Sequence, residues 1–92
     1  MSSKSSSPNF YEGFKEKLDN QYTWPSLYTF KFIVPEGQEQ KIRELFPGSE
    51  VTEKKSSKGN YISLTASIMA NSSEAIIKIY KQAESIEGLI AL

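Results

Sequence analysis

The chain has 92 residues, 38% hydrophobic and 12% aromatic, which supports one globular domain with a single core and little room for an enclosed substrate cavity. Its eleven Lys plus Arg balance eleven Asp plus Glu, so the basic surplus of a dedicated nucleic-acid binder is missing and phosphate contact would need a local patch. Cysteine and histidine are both absent, which excludes disulfides, thiolate zinc sites, cysteine nucleophiles and the commonest general base near neutral pH.

Met1 to Pro8 is Ser-rich without an apolar stretch and reads as a disordered tail, not a signal peptide. No apolar run reaches the ~18 residues of a membrane span, and a cytoplasmic location is the expectation. A helical segment is expected over residues 9–21. Asn9 and Glu12 have the spacing of a capping box. Phe10, Phe14 and Leu18 then recur every fourth residue, with Tyr11 beside them, as far as about Asp19. Gly13 weakens this helix by ~1 kcal/mol relative to Ala. The stripe is expected to dock on the domain's own core; the alternative is an amphipathic helix that binds a partner.

The main domain is expected over residues 22–92. Pro25 biases Trp24 toward extended backbone, and a strand follows from Leu27 to Val34. Tyr28, Phe30, Phe32 and Val34 alternate with Leu27, Thr29, Lys31 and Ile33, and the aromatic side must face the core because its burial contributes most. Pro35-Glu36-Gly37 breaks the strand. A short helix is expected from about Gln38 to Phe46, with Ile42, Leu45 and Phe46 on its apolar side and Pro47-Gly48 as its stop. A polar strand from about Glu50 to Lys55, carrying Glu53, Lys54 and Lys55, has the look of a protected sheet edge. Ser56 to Asn60 make a turn in which Gly59 is available for positive φ.

Tyr61 to Ala70 is the clearest strand. Ile62, Leu64, Ala66, Ile68 and Ala70 alternate with Tyr61, Ser63, Thr65, Ser67 and Met69, which predicts one buried face and one wetter face. Asn71 and Glu74 repeat the capping-box spacing, and a helix is expected to about Ser85. Ile76, Ile79, Tyr80, Ala83 and Ile86 trace its buried stripe, and Gly88 suits its exit. Leu89 to Leu92 make a short final strand. This order of strands and helices, with right-handed crossovers, predicts an α+β, ferredoxin-like βαββαβ sandwich with two helices on one face of a four-stranded antiparallel sheet, preceded by an extra helical segment.

Three runs resemble the YbeD-like family of small bacterial proteins. Trp24-Pro25-Ser26-Leu27-Tyr28-Thr29-Phe30-Lys31-Phe32 is similar to its aromatic-Pro opening strand with Phe-Lys. Ser56-Ser57-Lys58-Gly59-Asn60-Tyr61-Ile62-Ser63-Leu64 is similar to its most distinctive run. Ile79-Tyr80 followed by Ile86-Glu87-Gly88 also matches. The resemblance covers roughly Tyr22 to Leu92. It implies a βαββαβ fold like that of ACT regulatory domains and supplies no catalytic residue, cofactor or substrate. The helix after the first strand departs from the family pattern in being shorter.

The candidate ligand or partner surface comprises Lys31, Lys54, Lys55, Ser57, Lys58, Gly59, Asn60, Tyr61 and Ser63. The Lys54–Asn60 segment offers lysines, hydroxyls and free backbone N–H groups to an anion; its structural alternative is a hairpin turn on a charged edge strand. It lacks the Gly-x4-Gly-Lys-Ser/Thr spacing of a P-loop. Lys31 is a charge in a central strand, set either to meet an anion or to reach water from the open face. Lys58-Gly59 before Tyr61 faintly echoes an RNA-recognition strand, but the other stacking aromatics are missing, so nucleic acid is not the expected partner. The Pro35-Glu36-Gly37 turn stands where ACT domains contact effectors and is also an ordinary breaker turn. No paired-carboxylate motif and no Asp-rich loop is present. The expectation is therefore a non-catalytic regulatory or interaction domain with no cofactor and no metal. It would bind a protein partner or small effector or self-associate as a homodimer; the alternative is anion or RNA binding through Lys31, Lys54, Lys55, Lys58 and Tyr61.

Overall fold

The computed structural model describes residues 8–92, with side chains from Phe10 onward. The elements run α1 (Pro8–Gln21), β1 (Ser26–Pro35), α2 (Glu39–Arg43), β2 (Thr52–Lys55), β3 (Tyr61–Ala70), α3 (Ser73–Ala83) and β4 (Ile90–Ala91). The strands form one antiparallel sheet in the order β2-β3-β1-β4. This is the expected α+β arrangement, compatible with a ferredoxin-like fold and preceded by α1. The tail expectation lies outside the described residues except at Pro8, which opens α1 and so leaves Asn9 within the first turn, where a fixed proline φ suits helix entry.

The β1–β3 ladder is the backbone of the molecule. It runs unbroken from Ser26↔Ala70 to Pro35↔Tyr61. Opposed residues share a face, so the register sends Phe30, Phe32, Val34, Ile62, Leu64 and Ala66 to one side, where all are buried. Tyr28 and Ile68 lie at the same face's margin and are only half-buried. The helices cover this side: Ile42 and Phe46 from the α2 region and Ile76, Ile77, Ala83 and Ile86 from the α3 region complete the core. Phe30 packs between the Phe46 and Tyr80 rings, each 5.1 Å away between centroids.

Several boundaries differ from expectation. α2 is one regular turn, Glu39–Arg43, and the chain continues to Phe46 through tighter turns, with Leu45 N–H on Ile42 O and Phe46 N–H on Arg43 O. β2 begins at Thr52 and α3 ends at Ala83. The cap of α3 is Ser72, whose hydroxyl accepts from the Ala75 N–H at 3.2 Å; Asn71 stands one residue outside. Ile77, absent from the expected stripe, is buried as well.

α1 lies along α3 and closes one flank of the core. Its inward stripe is Tyr11 and Leu18, both buried, with Phe14 half-buried between them, whereas Phe10 is 58% exposed. A spacing of i, i+3, i+7 fits the helical period as well as i, i+4, i+8 does, and α3 selects the former. The Tyr11 hydroxyl donates to Glu84, Lys81 sits 5.0 Å over the Tyr11 ring, and Lys15 bridges Asp19 at 3.0 Å and Glu74 at 3.5 Å. The Phe14 and Tyr80 rings meet edge to face at 5.5 Å.

Candidate functional site

Among the described residues, the helices leave the other side of the sheet uncovered. The pairing fixes what points there. β1 contributes Leu27, Thr29, Lys31 and Ile33, and β3 contributes Tyr61, Ser63, Thr65, Ser67 and Met69. Thr52 and Lys54 of β2 oppose Thr65 and Ser63, and Ile90 of β4 opposes Ile33, so these three share the face.

The face is graded along its length. Leu27 and Met69 oppose each other at one end, 59% and 63% exposed. Thr29 and Ser67 come next, joined through their hydroxyls at 2.7 Å. Lys31 opposes Thr65 in the middle. The row Lys54, Ser63, Ile33, Ile90 follows, and Tyr61 closes the far end beside the hairpin. Lys31 and Lys54 sit two strands and one two-residue step apart, about 12 Å between backbones. Both ammonium groups can thus reach an anion held above Ser63 and Thr65.

The charge on this face has one sign. Among the described residues, Lys31 and Lys54 are the only charged residues at these outward positions, and neither has an ion pair. The carboxylates lie elsewhere: on α1, α2, α3 and their caps, in loops at Glu36, Glu50 and Glu87, and on β2 at Glu53, which Arg43 holds on the helix side.

The hairpin of residues 56–60 is held by its own backbone. Ser56 N–H donates to Tyr61 O at 2.9 Å, Gly59 N–H to Ser56 O at 3.0 Å, and Gly59 takes a φ of +76°. The Ser56 hydroxyl accepts from Tyr61 N–H at 3.3 Å. Lys55 faces the other way from Lys54 and reaches Glu36 at 3.7 Å. The structure therefore brings Lys54, Ser57, Tyr61 and Ser63 together around one open hollow, which also takes in Lys55. Lys58, Gly59 and Asn60 form the turn beside the hollow without lining it, and Lys31 stands one row away. Sequence reasoning missed Ile33 and Ile90 as its apolar floor; their meeting depends on the β1–β4 pairing, which no local pattern displays.

Groups with displaced proton affinity lie on the helical side. Burial, then the bond to Glu84, pushes the Tyr11 phenol up to about 12. Burial and the Tyr28 hydroxyl at 3.1 Å raise Tyr80. The Trp24 indole N–H at 2.9 Å and the Lys15 ammonium hold the Asp19 carboxyl below its usual value, and Asp19 raises Lys15 in return. The nearby Ser73 hydroxyl is buried without reaching hydrogen-bond geometry. Each of these groups serves the docking of α1 and its linker on α3 and β1. Among the described residues, no three Asp or Glu side chains gather as a metal site, and no helix is long and apolar enough to cross a membrane.

Comparison with known proteins gives a consistent picture. The family described as "Protein of unknown function (DUF493)" matches residues 19–92. A "UPF0250 protein" of Buchnera aphidicola subsp. Baizongia pistaciae is 35% identical over 79 residues, covering 78% of this chain and 90% of that protein. These matches bear out the YbeD-like resemblance. No solved structure matches the chain.

Proposed function

The chain belongs to the DUF493 family of proteins of unknown function, and from that premise we propose that it is a non-catalytic interaction module that docks an acidic protein surface on its open sheet face. The observation that carries this reading is the charge of the open face: in a chain whose formal charges sum to zero, the only charged residues at the outward sheet positions are Lys31 and Lys54. A second copy would present the same two ammonium groups, so face-to-face self-association opposes like charges. A carboxylate-rich partner meets complementary ones. Exposed Leu27 and Met69 at one end, with Ile90 and Tyr61 at the other, add apolar contact around the polar centre. In this role the domain regulates its partner by occupancy, with no turnover of its own.

A labelled peptide of alternating Glu and Leu serves as the probe, followed by fluorescence anisotropy. Binding is expected to weaken several-fold between about 0.05 M and 0.5 M salt and to disappear in the Lys31→Glu, Lys54→Glu double variant. Lys17→Glu, on α1, is expected to leave it unchanged. Equal weakening by Lys17→Glu, or a stable homodimer that the double variant leaves intact, would reject the proposal.

A further inference from the structure

We propose that the hollow at the hairpin end of the sheet binds a small amphiphilic anion: a carboxylate or phosphate head on a short apolar body. The hollow measures about 500 Å³, within the size range of small-molecule sites. Two sets of groups meet in it, and each set specifies one half of the ligand.

The head follows from the polar wall. Lys54 has no ion pair among the described residues, while its neighbour Lys55 is already engaged with Glu36. The hydroxyls of Ser57, Tyr61 and Ser63 have no hydrogen-bond partner among the described residues. The Ser56 hydroxyl accepts from the Tyr61 N–H and keeps its own proton to give. One unpaired cation and a set of O–H donors thus line one hollow, and none of the lining side chains is a carboxylate. An anionic head gains a charge-assisted contact with that ammonium which a cationic or neutral ligand does not.

The body follows from the floor. Ile33 and Ile90 oppose each other across β1 and β4, and Ile90 is 50% exposed. Inorganic phosphate would satisfy the wall and leave this floor in water. Each methylene laid over it contributes up to ~0.8 kcal/mol, so head and body bind better joined than apart. Lys31 does not line the hollow, whereas Lys54, Tyr61 and Ile90 belong both to the hollow and to the docking face.

Titration followed by backbone amide NMR tests the site, with hexanoate, hexyl phosphate, inorganic phosphate and hexan-1-ol as probes. Hexanoate or hexyl phosphate is expected to shift Ile33, Ser57, Tyr61 and Ile90 saturably, and the tighter of the two identifies the head. Inorganic phosphate and hexan-1-ol should each bind at least about 10-fold more weakly. Lys54→Gln should weaken hexanoate about 5-fold, the equivalent of ~1 kcal/mol for an exposed charge pair. Lys17→Glu, on α1 and outside the hollow, should leave hexanoate within about 2-fold. Equal affinity in Lys54→Gln, loss of hexanoate in Lys17→Glu, shifts centred elsewhere, or no saturable shift by about 20 mM would overturn the assignment.

Discussion

Gly88 and Pro35 meet so closely that a Cβ built on the glycine would stand 2.6 Å from Pro35 Cγ. The contact locks the exit from α3 against the end of β1. Gly88 also takes a φ of +78°, where side chains are strained. Gly59 has nearly the same φ, +76°, with nothing within 4 Å of its absent Cβ. Gly88→Ala is therefore expected to cost ~2–3 kcal/mol, and Gly59→Ala only ~1 kcal/mol. Urea unfolding of both variants checks this; equal losses would show that the Pro35 contact is immaterial.

The cap of α3 gives a second measurement. Ser72→Ala removes the acceptor of the Ala75 N–H and should cost ~1 kcal/mol. Asn71→Ala, one residue earlier and exposed, should change stability by less than ~0.5 kcal/mol. The reverse ranking in thermal melts would place the cap at Asn71.

Tyr11 predicts a pH dependence. Its phenol is raised from 10.0 to about 12 in the folded chain, so folding favours the protonated form. The stabilisation is complete below pH 10 and is lost as pH rises toward 12. Tyr11→Phe lacks the bond to Glu84. The stability gap between wild type and Tyr11→Phe should hold constant from neutral pH to about 9 and shrink above that. Chemical denaturation at stepped pH reads the gap; one that stays constant to the top of the window would mean that Tyr11 does not hold its proton in the folded state.

The sheet-face lysines should be dispensable for folding. Both are exposed and lack ion pairs among the described residues, so the Lys31→Glu, Lys54→Glu double variant should stay within ~0.5 kcal/mol of wild type. A larger loss on urea unfolding would mean that these charges have a structural task, and that a binding defect in the variant reports unfolding.

The legibility of these features in the sequence followed the physics of each. β3 was readable to the residue because Tyr61–Ala70 alternates without a break, and any slip would bury Ser63 and expose Leu64. The α3 cap was displaced by one residue because Asn71 and Ser72 are both capping types, and only the backbone decides between them. Phe10, Phe14 and Leu18 are the more apolar stripe of α1, yet Tyr11 takes the buried place because Glu84 and Lys81 of the α3 region meet its hydroxyl and ring. The lysines and hydroxyls of the candidate surface were visible as composition. Their union with Ile33 and Ile90 was not, because the hollow is assembled from separate strands and depends on register.

The placement of charge has a kinetic consequence. Lys31 and Lys54 make the open sheet face locally positive, because every carboxylate among the described residues lies off it, although six further cations share the helices with those carboxylates. In the field of an acidic body such a molecule is turned before contact, so that productive encounters exceed those of random orientation. Association would then be fast and salt-sensitive although the net charge is zero, while the lifetime of the complex would rest on short-range packing at Leu27, Met69 and Tyr61.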